Sequence, residues 1–144
     1  MTEHNTRNPR TGLRDYAMPV HGAAEVATAA ARLRARQPAW AALEADARAE
    51  ALRAWCRRLL SARDALAEAL CADTGRWHES LLEVQACAQS LERWAGLGPA
   101  LLAPSRQPCA LPFLSLEQGA RPYPLVVVIS PWNFPLLLSL IDAI

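Results

Sequence analysis

Leu125, Val126, Val127, Val128 and Ile129 follow one another with no polar residue between them. A strand with one wet face alternates apolar and polar side chains. An unbroken β-branched run therefore asks for cover on both faces, as in a parallel sheet. The run ends at Ser130, and the loop Pro131, Trp132, Asn133, Phe134, Pro135 separates it from the apolar stretch LLLSLIDAI. Pro135 suits the first position of a helix beginning at Leu136, because its missing N–H is one that a helix start leaves unpaired anyway. Strand, loop and helix in that order open a doubly wound α/β domain. One strand and a short helix do not complete such a sheet. The fold class expected is therefore α/β: an N-terminal helical segment leading into the start of a Rossmann-like doubly wound sheet that is incomplete in this chain. The last turn before Ile144 carries no cap, glycine or basic residue, which reads as a truncated chain.

Upstream, the periodicity is helical. Residues 23–36 place Val26, Ala30 and Leu33 on one face, with Pro38 just beyond the expected end. Leu52, Trp55, Cys56, Leu59 and Leu60 form one apolar stripe. Ser61 is a plausible N-cap with Asp64 at N3, and the helix that follows runs through Leu66, Leu70 and Cys71 to Gly75 at C′. A fourth helix is expected from Glu79 to Ala95, with Leu81, Val84, Ala88, Leu91 and Ala95 inward and Gly96, Gly98 and Pro99 closing it. Pro99, Pro104, Pro108 and Pro112 then exclude regular helix, and short edge strands or an extended hairpin are expected around 110–114 and 116–121. The organisation expected is a disordered polar tail at 1–20, a helical part at 21–98, a proline-rich linker with short strands at 99–122, and the truncated strand–loop–helix at 123–144.

At 144 residues the chain has the length of one ordinary domain. Its net charge of +1 gives no reason to expect nucleic acid as a partner. All 15 basic residues are Arg and alternate with acids along the helices, as on solvated faces. The cysteines (56, 71, 87, 109) form no C-x-x-C pair and the histidines (4, 21, 78) are isolated, so neither a disulfide framework nor a metal site is expected. Buried thiols in a reducing cytoplasm are the reading adopted. The stretch 125–144 approaches the ~20 residues of a membrane span, but Pro131, Asn133, Pro135 and Asp142 within it argue against one.

Asn133 sits between two prolines that each fix their own φ, with Trp132 and Phe134 as apolar anchors. A loop at the carboxyl end of a parallel strand is where α/β folds hold ligands. A side-chain amide fixed there is able to donate to an oxygen that gains negative charge during a reaction. The alternative is a turn asparagine that only satisfies nearby backbone groups.

The segment VVVISPWNFPLLLSLIDAI resembles the strand and P-W-N-F-P loop of the aldehyde dehydrogenase superfamily. Residues 38–76 resemble the family's first helices, with DTGR where an e-x-G-K segment usually stands, and LLEVQACAQSLERWA resembles its next helix. The likeness extends over about residues 20–144. It implies NAD(P)-dependent oxidation of an aldehyde to a carboxylic acid through a cysteine thiohemiacetal. Asn133 matches the asparagine whose amide donates to the oxyanion. Ile129, Ser130, Pro131 and Trp132 match the strand end lining the nicotinamide–ribose part of the NAD or NADP site, and Phe134, Leu137 and Leu138 match positions bordering the aldehyde tunnel.

The chain departs from the family's P-x-G-V-V-G pattern, with Pro124 and Val127 there, and has Arg76 for the usual lysine. The resemblance also implies that the nucleophilic cysteine, the glutamate base, the ribose-binding lysine and the glycine-rich cofactor turn lie beyond Ile144. The chain alone is therefore expected to be inactive. A homo-oligomer is expected for the full-length form. The second reading is a non-catalytic helical interaction module derived from the family.

Overall fold

The computed structural model describes residues 2–111, 113–120 and 122–144. Its centre is a set of packed helices whose apolar stripes meet. Helix α1 spans Ala23–Ala41, α2 Ala45–Ser61, α3 Arg63–Thr74, α4 Trp77–Leu102 and α5 Pro135–Leu140. Helix α4 runs along α2 and α3 and also meets α5. Cys56 and Leu59 of α2, Leu70 of α3, Val84, Cys87, Ala88 and Leu91 of α4, and Leu140 of α5 form one buried cluster.

The buried stripe of α4 is Ser80, Glu83, Val84, Cys87, Ala88, Leu91 and Ala95, a helical spacing that includes two polar residues the sequence pattern does not flag. On α2, Cys56 and Leu59 are buried as expected, whereas Trp55 and Leu60 are exposed.

Several boundaries differ from the sequence expectation, each for a local reason. Helix α1 continues through Pro38, whose own carbonyl accepts from Ala42 N at 3.0 Å. The expected face of α1 is uncovered, with Val26 and Leu33 both exposed. Ser61 is the last residue of α2 and not a cap: its hydroxyl donates back to the Arg58 carbonyl at 2.8 Å, and Ala62 is the one residue between α2 and α3. Gly75 does end α3 in the left-handed region at φ 73°, its N–H donating to the Cys71 carbonyl at 2.8 Å.

Helix α4 begins at Trp77 and does not close at Gly96 but runs through Pro99 to Leu102. A proline at position 99 leaves the carbonyl of Ala95 without its helical donor. Arg53 on α2 fills that vacancy, Nη2 donating to the Ala95 oxygen at 3.4 Å.

The N-terminal segment expected to be a mobile tail is an antiparallel hairpin of β1 (Thr2–Arg7) and β2 (Arg14–Val20). Thr2 faces Val20 and Arg7 faces Arg14, with a break in register after Asn5. The turn explains why a polar segment folds. Gly12 lies at φ 73° and its N–H donates to the Asn8 carbonyl at 2.8 Å, while Asn8 Oδ1 accepts from the N–H groups of Arg10 at 2.9 Å and Thr11 at 3.2 Å. The Tyr16 hydroxyl then donates to Asp73 Oδ1 at 2.8 Å, tying the hairpin to α3.

A second hairpin pairs β3 (Ser105–Pro108) with β4 (Ser115–Gln118), Ser105 opposite Gln118 and Pro108 opposite Ser115. Against strands expected at 110–114 and 116–121, β3 lies upstream of the first and β4 overlaps the second, while Pro112 and Arg121 lie outside the described residues.

The run 125–130 forms no strand ladder with any described segment, and Val127 and Ile129 are 74% and 93% exposed. A strand buried on both faces exists only when neighbouring strands supply its hydrogen bonds, and the described sheets are two separate hairpins. The expected strand is thus an unpaired apolar segment here. The fold of the described residues is mixed helix and sheet, five helices with two antiparallel hairpins, and no doubly wound sheet forms among them.

Candidate functional site

The loop that carries Asn133 is fixed from α4 and from the residue that precedes it. Gly75 turns the chain in the left-handed region at φ 73°, which favours glycine, and a Cβ there would also crowd Pro9 Cγ at 3.1 Å. The next residue, Arg76, is pinned by its backbone. Its N–H donates to Thr74 Oγ1 at 3.3 Å, and its carbonyl accepts from Ser80 N at 3.0 Å and Ser80 Oγ at 2.6 Å. The half-buried Arg76 guanidinium reaches the loop, Nη1 donating to the Asn133 carbonyl at 2.7 Å. Its carbon also lies 4.8 Å from the centroid of the Phe134 ring, within cation–π range.

Two turns further along α4 stands Glu83, 2% exposed. Its Oε1 accepts from the N–H of Leu136 at 2.6 Å and of Leu137 at 2.8 Å. Phe134 precedes α5 and has no side-chain oxygen to cap it, with Pro135 at the first helical position. The Glu83 carboxylate does the work of the missing cap from another helix, and its charge complements the positive end of α5. At the base of the loop, Ser139 Oγ donates to Ser130 Oγ at 2.7 Å and both hydroxyls reach the Pro135 carbonyl.

Among the described residues no hydrogen bond engages the Asn133 side-chain amide; only the backbone carbonyl of this residue is bonded. Asn8 gives the contrast within the same chain, since its side-chain oxygen closes a turn on two backbone N–H groups. Asn133 is thus half-buried in a loop held at both ends by other residues, its donor left over.

The remaining site residues divide by face. Ile129, Pro131 and Trp132 are exposed, Trp132 by 76%, so this end of the loop presents apolar side chains to solvent. Ser130 is half-buried, its hydroxyl engaged within the loop. Phe134 lies against Arg76, and Leu137 packs partly on the Leu91 cluster, with Leu138 half-buried beside it. Sequence reasoning missed Glu83 and the reach of Arg76. The signal for Glu83 was present, because a carboxylate at helical spacing between Ser80 and Val84 and Cys87 falls inside the buried stripe.

The cysteines are not organised as nucleophiles. Burial pushes the Cys87 thiol up to about 11, with the charge of Glu83 adding to it. Burial raises Cys56 as well, with the Glu92 hydrogen bond second. Cys109 is exposed but lies on the connection between β3 and β4. A thiolate is what nucleophilic attack requires, and burial beside carboxylates disfavours it. No group of three or more metal-ligating side chains occurs among the described residues, and no described helix is long and apolar enough to cross a membrane.

The profile described as "Aldehyde dehydrogenase family" matches residues 2–144. The chloroplastic betaine aldehyde dehydrogenase of Beta vulgaris is 33% identical over 121 residues, covering 80% of this chain and 24% of that protein. PutA of Anabaena variabilis, described as an aldehyde dehydrogenase, superposes with a TM-score of 0.93 at 43% identity, over 99% of this chain and 30% of that one. An NADP-dependent enzyme of E. coli superposes with a TM-score of 0.80 at 26% identity, over 95% of this chain and 28% of that one. The chain thus spans about a quarter of the length of the curated relative (24%). Fold, loop and sequence agree: the chain belongs to the aldehyde dehydrogenase family.

Proposed function

We propose that this chain is the N-terminal part of an NAD(P)-dependent aldehyde dehydrogenase and supplies the oxyanion donor of its active site. The observation that carries the reading is the Asn133 amide, unengaged among the described residues in a loop whose carbonyl and following N–H groups are already held by Arg76 and Glu83. A donor fixed before the reaction needs no reorganisation when charge develops, which is the condition for strong transition-state stabilisation. Asn133 Nδ2 would donate to the oxygen of an aldehyde carbonyl as it becomes an oxyanion under attack by a cysteine thiolate. Phe134, Leu137 and Leu138 would border the aldehyde's path.

The exposed side chains of Ile129, Pro131 and Trp132 fit one face of a nicotinamide and its ribose, being apolar, open and adjacent to Asn133. Ser130 fits less directly, since its hydroxyl is bonded within the loop, so its part would be to fix the loop's backbone. NAD or NADP, when bound, supplies the acceptor for the hydride. The similar E. coli enzyme is NADP-dependent, which supports this cofactor class. The three buried cysteines remain free thiols, which supports a reducing compartment such as the cytoplasm. A homo-oligomer of the longer enzyme belongs to the same proposal.

The nucleophile would come from outside these residues, because Cys56, Cys71 and Cys87 are buried and Cys109 is exposed on the connection between β3 and β4 with no hydrogen bond to its thiol among the described residues. The purified 144-residue chain should therefore show no NAD(P)⁺-dependent oxidation of a simple aldehyde, whereas an enzyme that continues from this segment into a cysteine-bearing domain should. Turnover by the chain alone, free of contaminating enzyme, would contradict this assignment of parts.

A further inference from the structure

We propose that Arg76 is a positioning residue for the Asn133 amide, acting through the backbone of the loop. Three observations meet at this side chain. Its own backbone is fixed by Thr74 and Ser80 after the left-handed turn at Gly75. Nη1 donates to the Asn133 carbonyl at 2.7 Å, and the guanidinium carbon stands 4.8 Å from the Phe134 ring centroid. Nη2 also faces Glu79 Oε1 at 3.8 Å, which steadies the fork from the helix side.

The carbonyl that Arg76 holds belongs to the planar peptide joining Asn133 to Phe134. Fixing that plane, and the ring that follows it, fixes ψ of Asn133 and φ of Phe134. Glu83 fixes the two N–H groups beyond Pro135. A cation on the carbonyl, from the residue that precedes α4, and an anion on the N–H groups, from within α4, hold the chain from Asn133 to the start of α5. The Asn133 side chain leaves the backbone one bond before the carbonyl that Arg76 holds. A planar guanidinium donates in its own plane and stacks through its face at the same time; an ammonium has no such face.

The test has two arms, and only the second rests on the oxyanion reading of Asn133. In the 144-residue chain, NMR relaxation of the Asn133 side-chain NH₂ reports its order, with exchange protection at Val84 and Leu91 as the control for the helical core. Arg76→Ala should leave the core protected and release the Asn133 amide. Arg76→Lys should lie between Ala and wild type. An Asn133 amide equally ordered in wild type, Arg76→Ala and Arg76→Lys overturns the proposal. If Arg76→Ala does not fold, Arg76→Lys decides: order equal to wild type in it overturns the role given to the planar fork.

In an enzyme carrying this segment, Arg76→Ala should lower kcat by up to about 10²-fold. The KM values for aldehyde and NAD(P)⁺ should be nearly unchanged, and Arg76→Lys should recover part of the loss. A normal kcat for Arg76→Ala in an enzyme that Asn133→Ala slows also overturns it. If Asn133→Ala leaves turnover intact while Arg76→Ala still releases the amide, the oxyanion reading fails and the positioning stands.

Discussion

Glu83 lies in the interior of α4 at 2% exposure, and its partners are two backbone N–H groups of another helix, not a cation. Hydrogen bonds of this charge-assisted kind compensate a buried carboxylate, which is why a charge persists in an otherwise apolar stripe. That negative charge has a second effect one turn away. Cys87, fully buried, is raised from its ordinary 9.0 to about 11, first by burial and then by Glu83. A folded pKa above the unfolded one means the unfolded chain releases its proton first as pH rises. The contribution is whole below about 9, and it is lost as pH climbs through the folded value of about 11. The linkage is worth roughly 2–3 kcal/mol over that window. Urea denaturation of wild type and Cys87→Ala should therefore show a constant stability gap between neutral pH and mildly basic pH, then a gap that shifts against wild type. An unchanged gap across the basic range would show that Cys87 titrates alike in both states. Of the candidate site residues, Asn133 stands out in the sequence because two prolines and a family motif frame it. The stripe position of Glu83 was there to be read, but its partners and the reach of Arg76 were not, because a contact across more than fifty residues (|i−j| of 57 and 53) leaves no local pattern.

Helix interiors were legible from periodicity: Cys56, Leu59, Leu70, Val84, Ala88 and Leu91 are buried at the expected spacing. Helix ends were less so. Gly96, Gly98 and Pro99 read as a stop, yet α4 continues, because the carbonyl that Pro99 orphans finds Arg53 on the neighbouring helix. The same limit applies at Ser61, whose hydroxyl bonds backward and not forward. At the N-terminus, turn chemistry at Asn8 and Gly12 outweighs the lack of an apolar alternation. The Arg53 contact makes a prediction about the crossing of α2 and α4. Pro99→Ala restores the N–H that Ala95 lacks, so Arg53→Ala should cost less in that background than in wild type. A double-mutant cycle on chain stability should return a coupling of about 0.5–1 kcal/mol. Strictly additive losses would mean that Arg53 acts through Glu50 or solvent instead.

Over the whole molecule, the buried cluster draws on α2 through α5, while α1 buries no residue and the run 125–130 has no ladder. The apolar run told correctly what kind of fold it belongs to, but its strand requires partners that the described residues do not provide. The loop after it is nonetheless set, because Arg76 before α4 and Glu83 within α4 hold it without help from a sheet. That independence is what the proposed role of the Asn133 amide as an oxyanion donor requires. The most direct test is steady-state kinetics of Asn133→Ala in an enzyme carrying this segment. If the amide meets the oxyanion, kcat and kcat/KM should fall together by about 10²–10³-fold, some 2.7–4 kcal/mol. Melting temperature and cofactor affinity should scarcely move, since prolines, Arg76 and Glu83 set the loop. Near-normal turnover combined with a much lower melting temperature would instead make Asn133 a strut of its loop and contradict the account.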